Sequence, residues 1–206
     1  MKPGYVIGID EVGRGALAGP VVVAVAAIAA GCRSLPKTLK DSKKLSAKQR
    51  ELWHGKFVND PQIFFAIARV YPRGIERLNI SKAANLAALR AFHRLKIGIK
   101  PLKNHENSQI FLDGGLYLKN KQWQMKNFPN AKTRPKADEN IPVVAVASII
   151  AKVERDAFMQ KMGKKYPEYQ FGVHKGYGTA VHRKAIAVHG PCVIHRLTFI
   201  TRSATI

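Results

Sequence analysis

Asp10-Glu11-Val12-Gly13-Arg14-Gly15 sets two adjacent carboxylates beside an arginine held between glycines. Neighbouring carboxylates offer the hard oxygen ligands that Mg²⁺ or Mn²⁺ prefer. Glycine lets a backbone lie against a ligand, and arginine reads phosphate or sugar. Asp113, followed by two glycines, and Asp138 are further acids at the boundaries of apolar runs. Four carboxylates brought close together would repel one another, so a divalent cation would be needed to neutralise them. Taken singly, these acids have simpler readings. Asp138 could cap a helix, and Gly13-Arg14-Gly15 could be a tight turn.

Other groups could bind a polyanion. Lys43 sits in the polar stretch Asp41-Ser42-Lys43-Lys44. Lys152 and Arg155 are three apart on one helical face. Arg155 could instead pair with Glu154 or Asp156. Tyr177 lies in a glycine-flanked turn among His174, Lys175 and Thr179, where its ring could stack on a base or sugar or could pack in the core. The histidines at 174, 182, 189 and 195 match no zinc spacing. The sequence has no G-x-x-x-x-G-K-[ST] phosphate loop and no G-x-S-x-G nucleophile elbow, which argues against nucleotide triphosphate hydrolysis and the α/β-hydrolases.

The elements that must position these residues are legible from patterning. Residues 4–10 and 20–30 read as strands joined by the glycine-rich turn. The second is almost continuously apolar, as a buried strand is. Ser46 with Gln49 forms a capping-box signature for a helix to about Asn59. A strand is expected over 62–71, a helix over 81–97 with an alanine stripe, and a short strand over 108–112 that ends at Asp113. Residues 114–137 contain no acid and read as a basic loop or small excursion on the surface. Pro142 opens a helix to about Met162, and Thr179 opens another that stops at Gly190-Pro191. Asp10 and Asp113 would meet if their strands are parallel neighbours, at the sheet edge where α/β proteins place ligands. The pattern is that of an α/β domain with a late helical portion.

The chain has 206 residues, of which 46% are hydrophobic, enough for one sizeable core. Lys and Arg number 35 against 13 Asp and Glu, a formal net charge of +22 that points to nucleic acid as partner. The longest apolar run, Val21 to Ala30, is too short to span a bilayer, so no membrane partner is expected. Two cysteines and no secretory apolar stretch point to a reducing, cytoplasmic setting. A basic binding protein without enzymatic activity would fit the charge equally well, but gives no reason for the acids at 10, 11, 113 and 138.

At this point the chain resembles the ribonuclease HII family. The resemblance rests on G-I-D-E-V-G-R-G at 8–15, A-G-P-V-V at 18–22, D-S-K-K-L-S at 41–46, L-D-G-G at 112–115, K-A-D at 136–138, A-S-I-I-A-K-V-E-R-D at 147–156, G-Y-G-T at 176–179 and H-G-P-C-V-I-H-R-L-T-F at 189–199. It implies a ribonuclease H-like fold, a mixed five-stranded sheet flanked by helices with a helical C-terminal part, formed by residues 1–206 as a single catalytic domain. It implies hydrolysis of the RNA strand of RNA–DNA hybrids and incision at single ribonucleotides in duplex DNA, leaving 5′-phosphate and 3′-hydroxyl ends. The implied cofactor is Mn²⁺ or Mg²⁺, held by Asp10, Glu11, Asp113 and Asp138. Gly13, Arg14 and Gly15 would read the ribose 2′-hydroxyl, and Tyr177 would stack on the adjoining deoxyribose. Lys43 and Lys152 are the expected phosphate contacts, and a monomer is the expected state. The chain departs from the family at Ala137, where glycine is usual, and at Val144-Ala145-Val146, where small residues are usual. The related type 3 family usually has an extra N-terminal domain, for which an acidic pair at residue 10 leaves no room.

Overall fold

The computed structural model describes residues 4–29, 39, 45–98 and 108–203. Five strands form one mixed sheet: β1 (Tyr5–Val12), β2 (Val21–Ala29), β3 (Ile63–Val70), β4 (Gln109–Asp113) and β5 (Ala131–Arg134), in the order β3-β2-β1-β4-β5. The pairs β1–β2 and β2–β3 are antiparallel, whereas β1–β4 and β4–β5 are parallel. β2 lies second in the sheet and is buried along nearly its whole length, which is why its sequence is an unbroken apolar run rather than an alternating one.

Helices cover both faces. α1 (Ala47–Asn59) begins at the expected capping box, in which Ser46 accepts from Gln49 N and Gln49 returns a bond to the Ser46 N–H. α2 (Pro72–Leu78) starts with a proline in its first turn. α3 (Ile80–Gly98) lays its alanine stripe, Ala84, Ala87, Ala88 and Ala91, into a core with Ile7, Ile9, Val23, Val25 and Leu112. α6 (Pro142–Lys165) covers the other face, with Val144, Ala145, Val146 and Ala147 buried against Ala24, Ala26 and Ile28. The valines that depart from the family's small residues therefore fill core volume. α6 comes so close to β1 that a Cβ on Gly8 would lie 2.4 Å from the Val143 carbonyl.

Residues 114–137 differ from the expected loop. They hold α4 (Lys121–Asn127) and the edge strand β5, and they lead into α5 (Ala137–Asn140). β5 reads Ala-Lys-Thr-Arg, too short and polar to signal a strand by patterning. Its inward residues are held by Gln124 and by the Thr133 hydroxyl, which donates to Leu116 O at 2.8 Å. The C-terminal part packs α7 (Phe171–His174), α8 (Ala180–His189) and α9 (Leu197–Ser203) beyond the end of α6. Among the described residues, no helix is long and apolar enough to cross a membrane.

Candidate active site

The parallel β1–β4 ladder places Ile9 beside Leu112, so Asp10 and Asp113 fall next to each other one residue further on. Asp138 arrives from α5, just after β5. One carboxylate oxygen from each of Asp10, Asp113 and Asp138 lies within 4.8 Å of the others. Asp10 and Asp138 are buried. Backbone amides orient two of the acids: Glu11 N donates to Asp10 Oδ1 at 2.7 Å, and Ala137 N donates to Asp113 Oδ1 at 2.6 Å. Asp138 is therefore not a cap; it sits inside the first turn of α5.

Glu11 does not join this group. β1 continues through Asp10 and Glu11 to Val12, so successive side chains point to opposite faces. Asp10 turns towards α6 and Glu11 towards Arg14, whose Nη1 donates to Glu11 Oε1 at 3.4 Å. Glu11 Oε2 is buried and has no hydrogen-bond partner among the described residues.

Burial pushes the Asp10 carboxyl well above the usual carboxylate range, with the charges of Glu11 and Asp113 adding to the rise and a hydrogen bond from Ser148 opposing it. Burial likewise raises Glu11, against the opposing charge of Arg14. A set of buried oxygens with raised proton affinity and an unfilled acceptor is suited to a hard divalent cation.

Asp10, Glu11 and Asp113 share a cavity of about 390 Å³ with Gly13, Arg14, Gly15, Arg50, Ser148, Lys152 and Tyr177. The turn is braced from below by two buried arginines. Arg155 donates to the carbonyls of Ala18, Pro20 and Lys175 at 2.9–3.0 Å. Arg196 donates to Gly19 O and, through Nη1, to Arg14 O at 2.9 Å. Gly13 has φ +89°, and a Cβ there would lie 2.1 Å from Arg155 Nε, so only glycine fits over the guanidinium. Arg155 Cζ also sits 5.3 Å from the Tyr177 ring centroid, joining the turn to the tyrosine.

The neighbouring acids have other partners. Glu154 pairs with Arg69 at 2.7 Å and Asp156 with Lys152 at 2.9 Å.

The Tyr177 turn is fixed on its other side by histidines. Gly176 O accepts from Leu17 N at 2.8 Å, His182 Nδ1 bonds Tyr177 O at 2.9 Å, and Gly176 N donates to His174 Nδ1 at 3.2 Å. The His174 and His182 rings stack with centroids 4.3 Å apart, and His182 Nε2 lies 3.0 Å from His195 Nε2. Burial lowers all three, His182 to about 4.

Of the residues singled out in the sequence, Lys43 lies outside the described residues, and the others line the cavity or, like Asp138, adjoin it. Ser148, Arg50, Arg196 and the histidine group were missed. Ser148 had a signal, because Ser148, Lys152 and Arg155 repeat at helical spacing on one face of α6. Arg196 had none.

A family model described as Ribonuclease HII matches residues 7–202. The chain belongs to the ribonuclease HII family. It is 41% identical over 206 aligned residues to a ribonuclease HII of Nitratidesulfovibrio vulgaris, covering 96% of this chain and 86% of that one. It is 38% identical to a ribonuclease HII of Coxiella burnetii, covering 94% and 87%. Among solved structures, the ribonuclease HII of Archaeoglobus fulgidus, determined in complex with PCNA, aligns with TM-score 0.70 and 26% identity over 95% of this chain and 94% of that one. A ribonuclease HIII from Bst in complex with Mn²⁺ shares the fold, with TM-score 0.76 and 20% identity over 98% of this chain and 70% of that one. Membership in the ribonuclease HII family makes this a metal-dependent hydrolase, an endonuclease acting on RNA–DNA hybrids.

Proposed function

We propose that the chain also incises duplex DNA at single embedded ribonucleotides, leaving 5′-phosphate and 3′-hydroxyl ends, and that Asp10, Glu11, Asp113 and Asp138 are the catalytic acids. The observation that carries this reading is the placement of Asp10, Glu11, Asp113, the Gly13-Arg14-Gly15 turn and Tyr177 around one cavity, with Asp138 grouped with Asp10 and Asp113. Divalent ions, Mg²⁺ or Mn²⁺, bound among the carboxylates would activate water and stabilise the leaving 3′-oxygen. Asp10, Asp113 and Asp138 would hold them, with Glu11 offering its unfilled oxygen from the rim.

The remaining residues position the substrate. The exposed backbone at Gly15 and the Arg14 side chain can approach a sugar closely, and the 2′-hydroxyl is the group that separates RNA from DNA at one nucleotide. Tyr177 presents its ring across the cavity, backed by Arg155, and would stack on the next sugar. Lys152, on the cavity wall, would contact phosphate, and Lys43, outside the described residues, is a further proposed contact. Such contacts read the backbone rather than base sequence, so little sequence preference follows.

The test is cleavage of a DNA duplex containing one ribonucleotide, compared with an all-DNA duplex, with Mg²⁺, with Mn²⁺ and with neither. Incision only at the ribonucleotide and only with metal is expected. Failure on that duplex, with hybrid cleavage intact, would overturn the single-ribonucleotide reading.

A further inference from the structure

The basic stretch between β4 and α6 has a defined place beside the acids. In the parallel β4–β5 ladder, Phe111 pairs with Lys132 and Asp113 with Arg134. Paired residues of neighbouring strands share a face of the sheet. Ala131 packs into the core on the α3 side and Thr133 bonds inward to Leu116. Lys132 and Arg134 therefore project from the same face as Asp113, and both are exposed. Neither forms an ion pair among the described residues. Lys136 follows with φ +56° and is also exposed, with only a long 3.7 Å contact to Glu139. No acid occurs from 114 to 137.

The sheet order gives this patch a side. Gly176, beside Tyr177, accepts from the amides of Leu17 and Ala18, between β1 and β2, whereas β5 is the edge on the other side, beyond β4. Neighbouring strands lie about 4.8 Å apart, so the Arg134 backbone is about 5 Å from that of Asp113 and about 10 Å from that of Asp10. A nucleic-acid strand advances about 3.4 Å per nucleotide along its axis, so 10 Å is a reach of about three nucleotides.

We propose that Lys132, Arg134 and Lys136 form a phosphate track on the β5 edge, which holds the nucleic-acid backbone on the opposite side of the acid group from Tyr177. The proposal rests on the acid group being the site of cleavage. Its occupant is a phosphodiester strand, because the patch is uniformly cationic, exposed and in register with Asp113. The rival role is protection of an edge strand, since lysine and proline on an edge discourage pairing with another chain, and Pro135 lies here too.

The test compares the full chain with a K132Q/R134Q/K136Q variant. Affinity for an RNA–DNA hybrid is measured over a salt series in metal-free buffer, and Mn²⁺ affinity and melting temperature are measured on the same preparations. Each lost phosphate contact lowers the slope of log affinity against log salt by about 0.9, so a drop of about 2–3 is expected, with Mn²⁺ affinity and melting temperature unchanged. A second arm binds DNA duplexes with one ribonucleotide, shortened on either side. Shortening on one side should weaken the parent chain but not the variant, and shortening on the other should weaken both alike.

An unchanged slope overturns the proposal, and new self-association by light scattering would then assign the charges to edge protection. Altered Mn²⁺ affinity with an intact slope also overturns it, because Arg134 would then be acting on the acids. If the parent chain fails to incise at a single ribonucleotide, the reading under Proposed function falls, while the salt series on the hybrid still decides the track.

Discussion

The acid group and the arginine–histidine bracket beneath the 13–20 turn both bury ionisable side chains, but they satisfy them in opposite ways. Arg155 and Arg196 keep their charge because backbone carbonyls fill their donors. His174, His182 and His195 shed theirs and bond to backbone and to each other. The bracket is complete within the protein. Asp10 is instead buried beside the charges of Glu11 and Asp113, and its burial raises its proton affinity although the Glu11 amide and Ser148 donate to it. A buried charge that the fold has balanced holds structure in place, whereas one crowded by like charges is set to receive a cation from outside.

The sharpest way to break that contrast is Asp10→Asn. Cleavage should fall by about a thousandfold or more, because an interaction worth several kcal/mol in the transition state is lost. Hybrid binding should stay near that of the parent, since phosphate contacts remain. Without metal the variant should melt no lower than the parent, because a repelled, buried carboxylate has gone. Normal turnover by the folded variant would remove Asp10 from the site.

Arg155→Met should act on the bracket and register mainly as stability. It strands the carbonyls of Ala18, Pro20 and Lys175, at a cost of about 3 kcal/mol. Calorimetric melting measures the loss, and Mn²⁺ affinity should persist. Loss of metal binding at unchanged stability would show that the two regions are not separable in this way.

Tyr177→Ala should separate function from stability at their junction. Stacking is worth about 1–3 kcal/mol, so incision at a single ribonucleotide should drop by about fivefold to about 150-fold. Activity on an all-RNA strand should fall less, and the melting temperature little. Equal losses on both substrates with a large drop in melting temperature would make the ring a packing residue.

The smallest effect concerns pH. Burial lowers His182 to about 4, while in the unfolded chain it returns to its ordinary value of 6.5. The unfolded state binds the extra proton between those values, so this stability is full above about pH 6.5 and is lost as pH falls towards 4. The loss should reach about 1–2 kcal/mol near pH 5, and His182→Gln should flatten that part of the melting profile. A parent profile with no slope in this window would mean that the histidines are not held neutral.

Much of this was legible in the residues alone. The unbroken apolar run of β2, the capping box at Ser46, the alanine stripe of α3 and the strand end at Asp113 are local signals, because period, caps and turn residues act over a few positions, whereas β1 runs past the expected end at Asp10 to Val12. β5 was not legible. Four residues, two of them basic, form a strand because β4 offers an edge and Gln124 and Thr133 anchor the inward side.

By itself the sequence determined the types of group available, an acid pair beside a glycine–arginine turn in a strongly basic chain, and the family motifs that join them. Only tertiary structure decided how those groups are divided. Strand alternation separates Glu11 from Asp10 although they are adjacent, and the parallel ladder joins Asp10 to Asp113 across more than a hundred residues. The same holds for the bracket, where Arg196 reaches Arg14 and Gly19, and histidines without any zinc-like spacing stack face to face. Spacing along a chain sets which residues share a local face, but contacts between distant segments depend on sheet order and helix packing, which no short window of sequence contains.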